Sequence, residues 1–480
     1  MNVRYIINML GKLLFIEALL MLAPFIVAII YGENTIIAFG ISMAILLMVG
    51  GVSLLFPPKN NTIRAREGLL ITGLAWILMS LFGALPLWLS HEIPHYLDAL
   101  FEVVSGFTTT GASVVLDVEA MSYSCLFWRS FTHFIGGMGV LVFALAILPA
   151  TGTQSMHLMR AEVPGPSVGK LVAKIRLTAR LLYVIYVVMT MILFLLLMIG
   201  GMPVYDSLVT SFATAGTGGF SVKAASIAAY ANPYAEVVIT IFMLLYSVNF
   251  NLYYLILIGK AGSIFKNEEL RWFLAIVASA ITAVTINIYP LYQNFWHALR
   301  DSSFQVATIL STTGFATANY DLWPNFARTL LVILMFLGAC SGSTGGGIKI
   351  ARVAVIFKTA VNQVRKQLFP RTVVPVKFEG KLLGDQMQSG ITSYMFAYIA
   401  VVIFSILLLS FDAFSLTTNF TAVAACINNI GPGLDVVGPT GNYAAFSPLS
   451  KIVLIFDMLA GRLELFPILV LFAPVAWKKN

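Results

Sequence analysis

The sequence predicts an all-α polytopic membrane protein, and three observations support this fold class. Of the 480 residues, 59% are hydrophobic and 10% are charged, and the mean hydropathy is +0.90. Soluble domains are about 45–50% apolar and about 25% charged, so this composition excludes a soluble enzyme. Apolar stretches of about 20 residues, long enough to cross a bilayer, recur along the chain. Lys and Arg are concentrated in alternate loops, as in a membrane topology signal.

Ten apolar stretches are suitable as transmembrane helices. They cover about residues 6–31, 35–56, 68–90, 125–149, 180–202, 234–259, 272–291, 326–348, 391–411 and 449–473. The first is longer than the apolar part of a signal peptide and no small-residue cleavage site follows it, so we expect a retained helix whose Glu17 faces protein. Four helical segments too short to cross a bilayer are expected at about 94–107, 204–214, 296–310 and 414–427.

The basic residues predict the orientation of the chain. Of the 29 Lys and Arg residues, 23 fall on one side of the predicted helices, chiefly in segments 57–66, 150–180, 259–271 and 349–381. Because basic loops stay in the cytoplasm, we expect both termini inside and the four short helices entering from outside. Within these loops the Lys and Arg residues are spread singly, so the net charge of +8 reflects membrane topology and does not indicate nucleic-acid binding. The basic stretch 349–390 is either a docking surface for a partner or lipid headgroups, or an ordinary cytoplasmic loop.

Cysteine and histidine give no sign of a catalytic or metal centre. Cys125, Cys340 and Cys426 lie far apart in apolar surroundings and are expected to be packed thiols. The five histidines form no ligand cluster and Glu102 stands alone among apolar residues. A polytopic membrane enzyme needs acid–base or metal clusters, so the sequence favours a protein without catalytic chemistry or a cofactor.

Each short helix leads into a loop rich in glycine and threonine or asparagine. The candidate ion-binding residues in these loops are Thr109, Thr110, Gly111, Thr217, Gly218, Thr312, Thr313, Gly314, Asn429, Ile430 and Gly431. Aligning Gly111, Gly218, Gly314 and Gly431 gives spacings of 107, 96 and 117 residues. Asp98, Asp206 and Asp301 then lie 13, 12 and 13 residues before their glycines. Irregular backbone at membrane depth must be buried in protein or line a watery cavity, so we expect the four loops to surround one central pore.

The loops have the chemistry of a monovalent cation filter. A short helix that ends before the glycine directs its partially negative end toward the pore, and its early acid should lie near the positive end. Glycine permits backbone conformations that other residues avoid, so successive carbonyls can face one axis. Rings of carbonyl oxygens replace the hydration shell of K⁺. Such neutral oxygens suit K⁺ or Na⁺ but are poor ligands for Mg²⁺ or transition metals.

The plan of helix, pore helix, filter loop and helix, repeated four times, resembles the Trk/Ktr/HKT superfamily of potassium transporters over essentially the whole chain. An additional N-terminal helix pair, at about 6–56, resembles the TrkH branch. The resemblance implies K⁺ uptake across a bacterial inner membrane, with K⁺ preferred over Na⁺ because Gly111 stands where Na⁺-admitting relatives carry Ser. The fourth loop departs from the pattern at Asn429-Ile430, and Lys223 stands where other repeats have outer acids, so exact four-fold symmetry is not expected.

The same resemblance implies partners and internal divisions. A homodimer is expected, with a ring of cytosolic Rossmann-type nucleotide-binding subunits on basic segments 150–180 and 349–381, and with membrane lipid around it. The expected divisions are a helix pair over 1–66 and four pore repeats over 67–150, 151–260, 261–388 and 389–480. A Na⁺-preferring relative is the nearest alternative. An inverted-repeat transporter is disfavoured because each repeat contains two spans and keeps its orientation. No chain of Asp, Glu or His crosses the bilayer, which favours gated passive flow over coupling to protons.

The eighth apolar stretch is expected to break in mid-membrane. After Leu337 it contains five glycines in ten residues, which a regular helix does not tolerate. The stretch lacks the spacing of a phosphate-binding loop and follows a helix rather than a strand, so a nucleotide site is disfavoured. Close helix packing through small residues remains open. The resemblance implies instead an intramembrane gate below the filter, formed by Gly338, Ser341, Gly342, Ser343, Thr344, Gly345, Gly346 and Gly347.

Arg462 lies about halfway along the last apolar stretch. An arginine there costs roughly 2.5–3.5 kcal/mol on insertion scales, so it should face the bundle interior and find a partner. One possibility is a structural ion pair with Asp457 or Glu464. The resemblance implies another role, in which Arg462 lies beside the pore below the filter, obstructs cations and helps the gate to close.

Overall fold

The computed structural model describes residues 2–57, 65–139, 175–369 and 375–478. Nearly all regular structure in these residues is helical, which confirms the fold class as a protein built mainly of apolar helices. The described strands are β1 (Lys377–Phe378) and β2 (Lys381–Leu382), which pair antiparallel. The predicted repeat boundary at residue 150 lies outside the described residues.

Twenty α-helices occur in the described residues. They are α1 (Val3–Leu20), α2 (Leu22–Tyr31), α3 (Thr35–Leu54), α4 (Ala65–Gly83), α5 (Leu85–Leu89), α6 (Tyr96–Phe107), α7 (Tyr123–Gly137), α8 (Ile175–Ile199), α9 (Val204–Gly216), α10 (Pro233–Tyr246), α11 (Phe250–Leu257), α12 (Glu268–Tyr292), α13 (Phe295–Leu310), α14 (Asn325–Leu337), α15 (Ile350–Leu368), α16 (Asp385–Leu409), α17 (Leu416–Ile427), α18 (Pro448–Arg462), α19 (Phe466–Leu471) and α20 (Pro474–Trp477).

Several helices are long and apolar enough to cross a membrane. Within the described residues there are six such stretches, namely Val3–Tyr31, Thr35–Leu54, Arg66–Leu89, Ala179–Ile199, Glu268–Tyr292 and Asp385–Leu409. A seventh is obtained if α10 and α11, which are bent by 91° at their junction, form one span. Glu17 is fully buried beside Gly83, as expected for an acid that faces protein. The three cysteines are buried and unpaired, as predicted.

Besides the bent pair of α10 and α11, three predicted spans are not single long helices. α7 ends at Gly137, and residues 140–149 lie outside the described part of the chain. α14 stops after 13 residues at Gly338, whose φ of 71° does not continue a helix. α18 stops at Arg462 because Glu464 and Leu465 have positive φ values of 57° and 64°. The total of ten spans therefore stays a prediction.

The four short helices α6, α9, α13 and α17 contain 12 to 16 residues and occupy the predicted pore-helix positions. Each packs against the helix before it and the helix after its loop, so that α6 lies between α4 and α7, and α9 between α8 and α10. The same arrangement places α13 between α12 and α14, and α17 between α16 and α18. This packing buries the C-terminal ends of all four short helices.

Candidate cation filter and gate

Each pore helix ends in the same backbone turn. The four loops that follow are loop 1 (108–111), loop 2 (216–219), loop 3 (311–314) and loop 4 (428–431). Their second residues, Thr109, Thr217, Thr312 and Asn429, are left-handed, with φ of 56°, 55°, 60° and 56°. Each third residue then donates its N–H to the carbonyl five residues earlier: Thr110 to Ser105, Gly218 to Ala213, Thr313 to Thr308 and Ile430 to Ala425, at 2.8–2.9 Å. This is the Schellman cap, which glycine usually makes. A non-glycine residue there costs about 1 kcal/mol, so the surroundings must hold it in place.

Loop 2 is aligned one residue differently from the sequence prediction. Gly219, not Gly218, shares the positive φ of the final glycines in the other loops, with 77° against 78–96°. The alignment of Gly218 with those glycines was therefore wrong, although Gly218 remains within the loop. With Gly219 in this position, Asp206 lies 13 residues ahead, as the acids of the first and third repeats do. Because Gly218 and Gly219 are adjacent, the sequence alone could not show which of them aligns with the final glycines of the other loops.

The four loops close into a ring, which we call the filter ring. At each junction a glycine lies against a carbonyl oxygen of the next loop: Gly111 against Gly218, Gly219 against Thr313, Gly314 against Ile430, and Gly431 against Thr110. A Cβ at any of these glycines would lie closer than 3.0 Å to that oxygen, which real Cβ atoms essentially never do. Glycine is therefore required both by the positive φ and by the close approach. The four carbonyls, here called the junction carbonyls, belong to the residues just before the glycines.

Side-chain hydrogen bonds brace three of the loops. The Thr108 and Thr110 hydroxyls are 2.8 Å apart in loop 1, and those of Ser311 and Thr313 are 2.6 Å apart in loop 3. In loop 4 the Asn429 amide donates to Thr110 Oγ1 of the neighbouring loop 1 at 3.0 Å and to the Met458 carbonyl at 2.9 Å. The departure at Asn429 therefore links loop 4 to loop 1 instead of weakening the ring.

Two buried oxygens of the filter ring have no hydrogen-bond partner in the described residues, Thr109 Oγ1 and Asn429 Oδ1. Leaving a buried polar atom unpaired costs about 1–3 kcal/mol. Both atoms belong to the second residue of their loop, directly before a junction carbonyl. Neutral oxygens with unused lone pairs are the ligands that a desolvated monovalent cation needs, so the residues present fit K⁺ or Na⁺.

The outer mouth of the filter ring is a cavity of about 160 Å³ lined by Gly111, Gly219, Gly314 and Gly431. Six basic residues were not assigned to the cytoplasmic side, and five of them form ion pairs. The pairs are Arg129–Glu102, Lys223–Glu119, Arg300–Glu236, Arg328–Asp321 and Lys451–Asp98. Neutralised cations do not oppose an approaching cation, and Lys223, which replaces an outer acid in the sequence, is 3.0 Å from Glu119.

Glu102 does not stand alone in the structure. Its carboxylate lies 2.6 Å from the Arg129 guanidinium and accepts hydrogen bonds from Ser113 Oγ and Val114 N, both at 2.9 Å. The Arg129 guanidinium also covers the Phe220 ring, 4.2 Å from its centroid. This buried pair therefore connects α6 and α7 with the segments that follow loops 1 and 2. The sequence gave no sign of it because the partners are 27 residues apart.

The acids expected at the start of the pore helices follow the prediction in two cases. Asp98 and Asp206 lie in the first turns of α6 and α9, near the positive helix ends. For Asp301 the expectation was wrong, because α13 begins at Phe295, six residues before it, where the Asn294 side chain caps the helix. Asp301 consequently lies beyond the first turn, 3.6 Å from His297.

In the fourth repeat the acid comes from the loop that follows the filter instead of from the pore helix. Asp435 accepts hydrogen bonds from Ser415 Oγ at 2.6 Å and Thr418 Oγ1 at 2.7 Å, at the start of α17. These hydrogen bonds lower the pKa of Asp435 below its usual value, first through Ser415 and then through Thr418. The carboxylate therefore lies near the positive end of α17 despite its different position in the sequence.

The glycine-rich segment 338–347, here called the gate loop, lies against the inner side of the filter ring. Gly346 N donates to Thr312 Oγ1 at 2.7 Å. A Cβ at Gly345 would lie 2.9 Å from the Ser311 carbonyl, and one at Gly346 would lie 2.5 Å from the Asn428 carbonyl. The loop therefore contacts both loop 3 and loop 4. Its ends meet at Gly338 and Gly347, where side chains would collide with backbone.

Three elements hold the gate loop in place. The break between α10 and α11 receives it, since Cys340 N donates to Ser247 O and Phe250 N donates to Gly342 O, both at 3.0 Å. At the start of α12, Glu269 accepts from Ser341 N at 2.7 Å and Ala351 N at 3.1 Å. Lys349, buried at the end of the loop, donates to the Gly345 carbonyl. The sequence analysis missed Glu269 and Lys349, although a lysine two residues after the glycine run was a usable signal.

Arg462 joins the gate loop to α7. Its guanidinium donates to the Thr344 carbonyl at 2.7 Å and to the carbonyls of Gly136 and Gly137 at 2.5 and 2.7 Å. The two acids considered as ion-pair partners have other partners. Ser405 donates to Asp457 at 2.7 Å, and Arg352 forms an ion pair with Glu464. The structure therefore places Arg462 against the gate loop, and its role toward a passing cation stays a prediction.

The basic segments differ in what the structure describes of them. In segment 349–381, α15 carries exposed Arg365 and Lys366 in its last turn, and Lys358 forms an ion pair with Glu268. Most of segment 150–180, including Arg160, Lys170 and Lys174, lies outside the described residues. The described part of these segments therefore includes an exposed basic end of α15, and a contact with a partner there stays a prediction.

Comparisons with known proteins agree with this architecture. The family model of TrkH, described as a cation transport protein, matches residues 35–479. The chain is 34% identical to the potassium uptake protein TrkG of Escherichia coli strain K12, with 99% of each chain covered. It is also 34% identical to the potassium uptake protein TrkH of Salmonella typhimurium over the full length of both. A crystal structure of the potassium transporter TrkH from Vibrio parahaemolyticus superposes with a TM-score of 0.90 at 30% identity, covering all of both chains. The chain therefore belongs to the TrkH family of cation transport proteins.

Proposed function

We propose that this multi-pass membrane protein takes up K⁺ across a bacterial inner membrane, through the filter ring and past the gate loop. The observation that carries the proposal is the closed ring of junction carbonyls lying directly against the gate loop. The potassium uptake proteins among its relatives support K⁺ as the ion. Gly111 at the first filter position supports K⁺ over Na⁺. The chain transports without catalysis and without a cofactor, as those relatives are named for uptake alone.

A sodium-preferring or poorly selective transporter of the same architecture is the alternative. The two functions differ in how Na⁺ competes with radiolabelled K⁺ for uptake by the purified protein in liposomes. Excess Na⁺ should leave K⁺ uptake largely unchanged, because a rigid ring of junction carbonyls replaces the hydration shell of K⁺ better than that of Na⁺. Inhibition by Na⁺ as strong as that by unlabelled K⁺ would contradict the proposal.

Gly111→Ser is a matched test of the filter. It places a side chain against the Gly218 carbonyl at φ 78°, so K⁺ uptake should fall and Na⁺ should compete. Gly32→Ser is the control, because Gly32 has a similar φ of 67° and nothing within 4 Å of its Cβ position. If both variants behaved alike, backbone strain rather than the ring would explain the loss.

The gate is proposed to be the gate loop together with Arg462. The loop fills the space under loops 3 and 4, and its five glycines let it change conformation without breaking a helix. Arg462 holds Thr344 of that loop against α7, so release of Arg462 and displacement of the loop are expected to occur together. Flow is proposed to be passive and driven by the membrane potential.

A homodimer surrounded by membrane lipid, with both termini in the cytoplasm and a cytosolic Rossmann-type nucleotide-binding subunit, is proposed for the assembly. The exposed basic end of α15 supports a contact with that subunit. Arg365→Glu combined with Lys366→Glu should abolish co-purification of the subunit, while Arg271→Glu, an exposed charge reversal on α12, should not. Undiminished binding by the double variant would remove α15 from the interface.

A further inference from the structure

Loop 2 lacks the side-chain brace of its neighbours. Loops 1 and 3 each join their first and third residues by a hydroxyl pair, Thr108–Thr110 and Ser311–Thr313. Loop 2 has Gly216 and Gly218 at the same two positions and so has no side chains to join. Its backbone nevertheless makes the same cap, with Gly218 N donating to Ala213 O at 2.9 Å. The Thr217 hydroxyl donates to the adjacent Gly216 carbonyl at 2.6 Å, but this bond does not join the first and third residues of the loop. A group outside the loop must therefore supply that link.

The ring of His133, on α7, occupies the missing volume. A Cβ at Gly218 would lie closer than 3.0 Å to three atoms of this ring. A Cβ at Gly216 would collide with the His133 carbonyl. Gly218 has no positive φ, unlike Gly219, so the closeness of His133 is the reason for glycine at this position. His133, Gly216 and Gly218 are thus sterically matched, because the histidine fits only where both loop positions are glycine; we call these three residues the matched set.

His133 also makes a polar bridge between two filter loops. Its Nδ1 is 2.8 Å from the Gly106 carbonyl, in the last turn of α6 before loop 1. Its Nε2 accepts a hydrogen bond from Phe220 N, the residue after loop 2, at 3.3 Å. A carbonyl facing Nδ1 and an N–H facing Nε2 require the neutral tautomer that carries its proton on Nδ1. The imidazole also lies against the Phe220 ring, with centroids 4.3 Å apart.

We propose that His133 is a positioning residue of the filter, which replaces the missing brace of loop 2 and sets the preference for K⁺ over Na⁺. The inference rests on the proposed function, namely K⁺ conduction through the filter ring. His133 reaches both the end of α6 and the residue after Gly219, so it fixes the Gly218 carbonyl at the junction with Gly111. Carbonyls that can shift inward coordinate Na⁺ better, so loosening one junction lowers selectivity before it lowers flux.

The experiment measures the K⁺ to Na⁺ permeability ratio of the purified full-length protein from reversal potentials in a planar bilayer. His133→Phe keeps an aromatic ring but loses both hydrogen bonds, and it should lower the ratio about tenfold, the size expected for one or two lost buried hydrogen bonds. The control is Tyr186→Phe, which removes a part-buried hydrogen bond of 3.0 Å from Tyr186 to the carbonyl of Phe134, a residue on α7 like His133, and should leave the ratio unchanged.

A second pair of variants tests the matched set if His133→Phe does not fold. Gly218→Ala should lower K⁺ flux at least tenfold because its methyl group meets the imidazole. His133→Ala combined with Gly218→Ala should recover most of that flux, since the space is then free. Independent effects of the two substitutions would show that the ring and the loop are not coupled.

The outcomes separate the two proposals. A wild-type protein that does not discriminate K⁺ from Na⁺ would contradict the proposed function itself. A selective wild type with an equally selective His133→Phe variant would overturn the role of His133 and leave the proposed function intact. Equal losses in His133→Phe and Tyr186→Phe would likewise overturn it, because any weakening of α7 would then suffice.

Discussion

Two residues in every filter loop have a positive φ, and different contacts hold each of them in that conformation. The final glycines do so where a Cβ would strike the neighbouring loop, so their role depends on the ring. The residue two positions earlier is threonine or asparagine, and its conformation is held by the Schellman hydrogen bond and by buried neighbours. A non-glycine residue keeps a positive φ only where contacts with the surrounding structure hold its backbone in place. The filter is therefore a property of four loops together.

Gly219→Ala should abolish K⁺ conduction. Its methyl group would meet the Thr313 carbonyl in the ring, at a φ of 77° that alanine avoids. Gly259→Ala is the matched control, because Gly259 has a φ of 76° with nothing within 4 Å of its Cβ position, so it carries the strain without the collision. Conductance of both variants, measured in bilayers, distinguishes them. Normal K⁺ current through Gly219→Ala would refute the register given for loop 2.

Arg462→Ala should raise K⁺ flux several-fold. The change removes a positive charge from the space below the filter and three hydrogen bonds, including the one to Thr344 of the gate loop. The K⁺ flux is measured with a radioactive tracer in reconstituted protein. The control is Arg328→Ala, which removes an arginine on the outer side. Unchanged or lower flux in a well-folded Arg462→Ala protein would favour a purely structural role.

At the scale of elements, the gate loop and the break in the helix opposite it form one unit. The backbone N–H and C=O groups that lack helical partners at the break between α10 and α11 form hydrogen bonds with the backbone of Cys340, Gly342 and Thr344. Two irregular segments therefore supply each other's backbone hydrogen bonds inside the membrane. Glu269 on α12 joins the gate loop to the start of α15, because it accepts hydrogen bonds from Ser341 N and Ala351 N. Under the proposed gating, displacement of the gate loop would therefore break its contacts with α12 and with the start of α15.

The outer end of the fourth repeat should lose stability in acid. The pKa of Asp435 is lowered in the folded protein, chiefly by the hydrogen bond from Ser415, so its contribution is present above the unfolded-state pKa and is lost as the pH falls through the folded-state pKa. Asp435→Asn should lower Tm by about 2 °C or less near neutral pH, since the group is exposed, and asparagine tolerates the φ of 61°.

The measurement for Asp435→Asn is the Tm of both proteins as a function of pH. The difference from wild type should begin to shrink below about pH 4, the ordinary pKa of aspartate, and should disappear once the pH falls through the lower folded-state pKa of Asp435. Ser279→Ala, at an exposed hydroxyl that bonds within α12, should show no such pH dependence. A difference in Tm that stays constant to the lowest pH would rule out this contribution.

At the scale of the whole molecule, four loops converge on one ring, with an outer mouth among paired charges and a gate loop on the inner side. Patterns local in sequence predicted much of this: the roughly regular spacing of one glycine per repeat identified the four loops, and the five glycines in ten residues after Leu337 located the gate loop. Contacts between distant residues were not predictable, among them Glu269 with Ser341, 72 residues apart, and His133 with Phe220, 87 residues apart. Asp301 was misplaced because its spacing to Gly314 matched that of the other acids, whereas α13 is longer than α6 or α9 and begins six residues before Asp301.

The most direct test of the central claim, that the filter ring selects K⁺, is the reversal potential of the purified protein in a bilayer with K⁺ on one side and Na⁺ on the other. A ring that replaces the hydration shell of K⁺ should give a potential set by the K⁺ gradient, with a permeability ratio well above ten, and it should not respond to a pH gradient. A reversal potential near zero, or one that follows the pH gradient, would contradict selective and uncoupled K⁺ flow.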